Sequence, residues 1–231
     1  MGTPRRIGLF GGTFDPIHYG HLRLAESLIG LFSFDELLFI PTCSPPHKQF
    51  EQVTTAYHRH AMTVLATLHS EHSRVSTIEL FAPEKPYTVE TVSTFRDSYG
   101  PNAHIFFLMG ADSFGMLHQW YKFQTLIDLC HIIVMSRPGY DLGDATFHRE
   151  RFGENRVVDF RNGFSLSTIS TELTAPNKRI FLTDLVALDV SATEIRAAVS
   201  QGKSIAQYVP PMVERYIYTY QLYQKSRIKI T

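Results

Sequence analysis

Two histidines three positions apart, His18 and His21, lie in a stretch whose other residues suit a phosphate. It reads Gly12-Thr13-Phe14-Asp15-Pro16-Ile17-His18-Tyr19-Gly20-His21 and follows the apolar run 7–10, which Gly11 and Gly12 close. The glycines let the chain turn sharply where a strand ends, and their bare backbone allows N–H groups to approach an anion. A helix opening near Gly20 would aim its partial positive end at the same point. With imidazole donors added, the arrangement fits phosphoryl or nucleotidyl transfer, which runs mainly on positioning and on stabilising charge on phosphate oxygens. A phosphate monoester, its second pKa about 6, can attack without a protein nucleophile. Taken piecemeal, the same residues also fit plain loop chemistry or a pair of metal ligands, although no third ligand at a zinc-site spacing stands beside them.

A second stretch, Val190-Ser191-Ala192-Thr193-Glu194-Ile195-Arg196, lies near the other end of the chain. Ser191 followed by Glu194 is a capping-box pattern, which predicts a helix start with N–H groups facing outward. Arg196 carries a planar donor fork suited to phosphate oxygens. A capped surface helix with a solvated arginine is the plainer alternative.

The elements that must position these residues alternate. Strands are expected over 7–10, 36–40, 74–77, 104–109, 132–135 and 178–183. Helices are expected over 20–31, 56–69, 88–99 and 121–129, from Ser191 onward, and over 210–224. Such alternation argues for βαβ units and a parallel sheet covered on both faces, a Rossmann-like doubly wound α/β fold with a small C-terminal helical part. One domain over 1–231 is the economical organisation, its core about 5–185 and its helical part about 190–226. The stretch 138–178 shows no clear period.

The 231 residues include 22 Lys plus Arg and 22 Asp plus Glu, so no global basic field exists. With no basic, aromatic-interleaved stretch either, nucleic acid is not an expected partner. The two cysteines, Cys43 and Cys130, do not make a disulfide framework, and Cys130 reads as a small buried hydrophobe. No apolar run approaches the ~18 residues of a membrane span, and no signal-peptide region follows the basic N-terminus. A cytoplasmic protein is expected, with self-association into a homo-oligomer left open.

The first stretch resembles the GxFxPxHxGH signature of the adenylyl- and cytidylyltransferases of the HxGH superfamily. Gly12, Phe14, Pro16, His18, Gly20 and His21 fill all of its specified positions. By chance such a match is expected at no more than about 10⁻⁵ in a chain this long. The second stretch is similar to the (I/V)SxTxIR element of the same family. The resemblance implies catalysis by His18, His21 and Arg196. It implies ATP contacts from Gly11, Gly12, Thr13, Phe14, His18, His21, Ser191, Thr193 and Arg196.

Further segments look like the bacterial nicotinate-mononucleotide adenylyltransferases: 44–48, Pro86-Tyr87-Thr88, 110–113, Trp120-Tyr121 and 136–140. The resemblance implies transfer of AMP from ATP to nicotinate mononucleotide, with Mg²⁺ carried by ATP and no protein metal site. Nicotinamide mononucleotide, or both acceptors, would keep the chemistry; a non-catalytic nucleotide sensor would keep only the fold. In this reading Trp120 stacks on the pyridine ring, and Tyr87 and Thr88 offer helix-start N–H groups to the nicotinate carboxylate. Asp112 reaches ribose hydroxyls, Lys48 closes over the triphosphate, and Arg137 meets a phosphate or nucleotide. The plainer alternatives are a core aromatic for Trp120, an ordinary helix start at Tyr87, a helix cap for Asp112 and a solvated lysine at 48. Arg59 is read as a surface charge.

Overall fold

Strands β1 (Arg6–Gly12), β4 (His104–Gly110) and β5 (His131–Ser136) read as near-continuous apolar runs because both of their faces are covered. They form the middle of a sheet in the order β3-β2-β1-β4-β5-β7-β6, completed by β2 (Glu36–Pro41), β3 (Ser73–Val75), β6 (Val157–Asp159) and β7 (Ile180–Val186). All of these pairings are parallel. The computed structural model describes residues 3–43, 53–82, 86–136, 142–161, 163, 165–186 and 190–224.

Two apolar clusters, one on each face, hold the layers together. The first receives α1 (Tyr19–Phe32), α2 (Ala56–Thr67), α7 (Leu166–Glu172), α8 (Ala192–Ser200) and α9 (Pro211–Thr219) through Leu28, Met62, Ile169, Ile195 and Val213. The second receives α3 (Thr88–Tyr99), α4 (Ala111–Gly115), α5 (Phe123–Leu129) and α6 (Ala145–Phe152) through Val92, Phe114, Leu126 and Phe152. Strand order reverses between β1 and β4. In such sheets the crevice outside the carboxyl ends at that reversal is where ligands bind.

The doubly wound parallel sheet is the expected one, with shifted boundaries. The stretch without a legible period holds α6, β6 and α7. In the C-terminal helices Ile195, Val199, Val213 and Ile217 are buried in the same cluster as Leu24 and Leu28 of α1. Cys130 is buried and Cys43 exposed, and both are free thiols. Among the described residues no helix is long and apolar enough to cross a membrane.

Candidate active site

The loop after β1 differs from the expected glycine turn. Gly11 and Gly12 finish the strand itself, paired with Ile40 and Pro41 of β2. The left-handed residue is Phe14, at φ 49°. Gly12 is needed for space: a Cβ there would lie 2.7 Å from Cζ of Phe14. The Phe14 ring stands edge-on to His21, centroids 5.1 Å apart. That packing links the glycine to the histidine.

His18 is the N-cap of α1 and His21 lies in its first turn. Their rings stack with centroids 3.7 Å apart, and His18 is buried. The His18 backbone N–H donates to Nδ1 of His21 at 3.3 Å. Nδ1 is therefore an acceptor, and a neutral His21 carries its proton on Nε2, as a donor. The first N–H of the helix, from Tyr19, donates to the carbonyl of Tyr208 at 2.8 Å.

Ser191 is the N-cap of α8, as its position predicts, yet its side chain makes no capping bond. The expected capping box is absent, because the exposed hydroxyl does not turn back onto the helix. Arg196, on the next turn, donates from Nη2 to Oγ1 of Thr193 at 3.2 Å and from Nη1 to the carbonyl of Asp15 at 2.9 Å. The two sequence motifs thus meet in space.

On the other side of the crevice, Gly11 faces Phe107 of β4, whose ring contacts Trp120 edge-on at 6.2 Å. Trp120 is part-buried against the second cluster, and the exposed rings of Tyr87 and Tyr121 pair beside it at 4.3 Å. Tyr87 is the N-cap of α3 and Thr88 its first residue. The Tyr87 N–H donates to the Glu90 side chain at 2.9 Å, so an incoming carboxylate would have to displace Glu90 there. Asp112 is exposed in the first turn of α4, where Gly110 rather than Asp112 is the cap. Lys48 and Arg137 lie outside the described residues. Among the described residues no cluster of three or more His, Cys, Asp and Glu could hold a metal ion.

The family profile described as cytidylyltransferase-like matches residues 9–198. The chain is 37% identical over 221 residues to the probable nicotinate-nucleotide adenylyltransferase of Moorella thermoacetica, covering 96% of this chain and 93% of that one. The chain belongs to the nicotinate-nucleotide adenylyltransferase family. A second relative so named, from Pseudomonas paraeruginosa, is 36% identical over 220 residues, with 95% and 98% covered. Plasmodium falciparum nicotinic acid mononucleotide adenylyltransferase complexed with NaAD superposes with a TM-score of 0.66 at 19% identity, covering 95% of this chain and 97% of that one. At that identity the likeness is one of fold.

Arg59 corrects the expectation most sharply. It is buried, not a surface charge, and its guanidinium donates to main-chain carbonyls. Nε donates to the carbonyl of Thr54 at 2.8 Å, Nη1 to Thr13 at 2.7 Å, and Nη2 to Thr42 at 2.6 Å and Cys43 at 3.2 Å. Burial lowers its pKa, and the nearby Asp15 carboxylate opposes that shift. Asp15, itself buried, accepts from the hydroxyl of Tyr223 at 2.7 Å and from the N–H of Thr54 at 3.3 Å. The signal was in the spacing: Arg59, Met62 and Thr63 occupy one buried stripe of α2.

Proposed function

We propose that the protein transfers the adenylyl group of ATP to nicotinate mononucleotide, giving nicotinate adenine dinucleotide and pyrophosphate in NAD biosynthesis. The observation that carries this reading is that Arg196 bonds to the loop leading into the stacked histidines, after β1, where the strand order reverses. A phosphate oxygen of the mononucleotide attacks the α-phosphorus of ATP in line. The bond from that phosphorus to the bridging oxygen breaks, and pyrophosphate leaves with the electron pair. His18, His21 through Nε2–H, and Arg196 stabilise the charge that gathers on the phosphate oxygens. Thr13, Phe14, Ser191 and Thr193 line the ATP side with Gly11 and Gly12, and Lys48 covers the triphosphate. Trp120, Tyr87, Thr88, Asp112 and Arg137 take the mononucleotide. Mg²⁺ enters with ATP, held by triphosphate oxygens, and the reaction runs in the cytoplasm.

The test is to supply ATP and Mg²⁺ with either nicotinate or nicotinamide mononucleotide and to measure dinucleotide and pyrophosphate. Turnover of the acid at least tenfold faster is the expected result. Equal or faster turnover of the amide would reassign the acceptor, and no turnover of either would end the proposal.

A further inference from the structure

A buried arginine is an expensive way to join loops. The guanidinium stays charged in a protein, and well-packed apolar residues hold neighbouring elements at least as well as a buried ion. Arg59 nevertheless spends its donors on main-chain carbonyls from three segments at the carboxyl edge of the sheet. Thr13 belongs to the signature loop, Thr42 and Cys43 follow β2, and Thr54 leads into α2.

The neighbouring carbonyls of the signature loop are captured as well. That of Gly12 accepts from the N–H of Thr42 at 2.9 Å, and that of Asp15 accepts from Arg196. Carbonyl oxygens facing a triphosphate would repel it, and here the protein's own donors take them. A planar trans peptide points its N–H opposite to its C=O. Fixing the Gly12 and Thr13 carbonyls toward Thr42 and Arg59 therefore sends the N–H groups of Thr13 and Phe14 the other way.

We infer that Arg59 is a positioning residue, which holds the signature loop so that the Thr13 and Phe14 amides are presented to the triphosphate of ATP. It touches neither phosphate nor base and acts through the Thr13 peptide. Its charge also adds a favourable potential behind the loop, which the Asp15 carboxylate moderates. The inference rests on the adenylyl-transfer reading.

Hydrogen exchange on the wild-type protein, with and without a non-hydrolysable ATP analogue and Mg²⁺, tests it first. The amides of Thr13 and Phe14 are expected to gain protection when the analogue binds. Arg59→Lys then keeps the charge but cannot span three loops. Its KM for ATP is expected to rise about tenfold, with the KM for the mononucleotide within about twofold of wild type. Binding of the analogue without added protection at those amides would overturn the inference, as would equal rises in both KM values. If Arg59→Lys does not fold, the wild-type exchange decides alone. No binding of the analogue by the wild type would instead sink the adenylyl-transfer reading itself.

Discussion

Nη1 of Arg196 donates to the main-chain carbonyl of Asp15 at 2.9 Å, across 181 positions of sequence. The helix start of α8 and the loop before α1 therefore hold each other in register. Arg196→Lys keeps the charge and loses the fork that spans Asp15 and the Thr193 hydroxyl. Its kcat/KM for ATP is expected to fall about 100-fold, while the melting temperature moves by only a few degrees. Steady-state rates beside a thermal melt check this. A variant that keeps more than half of the wild-type kcat/KM removes Arg196 from the proposed catalytic set.

The two glycines that end β1 should respond differently to an added methyl. At Gly12 a Cβ would meet the Phe14 ring at 2.7 Å, whereas at Gly11 the nearest atom is Cε2 of Phe107, at an ordinary 3.8 Å. Gly12→Ala is expected to cost about 1–3 kcal/mol, as overpacking does, and to displace the ring that braces His21. Gly11→Ala should stay within about 0.5 kcal/mol of wild type. Urea titrations of both variants measure the contrast; equal losses would mean that Phe14 yields freely.

How much of this site could be seen without the structure depended on contiguity. The signature loop and the α8 motif each gather several candidate groups in one short stretch of chain, and the bond from Arg196 to Asp15 joins the two stretches. The α6-β6-α7 region escaped because its pattern is faint. In α6 a buried histidine takes an apolar position, His148 bonding through Nε2 to the Leu142 carbonyl at 2.6 Å. β6 has only three residues, and α7 buries only Ile169. Arg59 escaped for the opposite reason. Its spacing was that of a core residue, but its type argues for water, and only the carbonyls gathered by folding reverse that preference.

The start of α3 bears on the choice between acid and amide. Glu90 places a carboxylate on the Tyr87 N–H, where the proposed acceptor would bring its own carboxylate. The two like charges compete for one helix end. Glu90→Gln is expected to lower the KM for nicotinate mononucleotide about threefold, an exposed-charge effect, and to leave that for the amide unchanged. Parallel KM measurements on both acceptors test it. Equal shifts for the two would place the pyridine carboxylate elsewhere.

At the opposite edge of the sheet, the first residues of β4 and β5 form a directional chain. The Arg179 N–H donates to Nδ1 of His131 at 3.0 Å, so neutral His131 is protonated on Nε2 and donates onward to Nδ1 of His104 at 3.3 Å. A proton added to Nδ1 of either ring breaks a bond. Burial, with Lys178 and neighbouring arginines, lowers His104 from 6.5 to about 4 and pushes His131 well below its usual range. The unfolded chain therefore binds more protons than the folded one between pH 6.5 and about 4. Stability from His104 is complete above pH 6.5 and is lost as the pH falls through that window. His104→Gln keeps an acceptor for His131 but cannot titrate. Between pH 6 and 4.5 its stability should fall less steeply than that of wild type, by up to about 1.4 kcal/mol per pH unit. The turnover number near neutrality should be unchanged, because the pair lies at the end of the sheet away from His18. Urea midpoints across that pH range decide the matter. Parallel slopes in the two proteins would show that His104 takes up its proton in the folded state as readily as in the unfolded one.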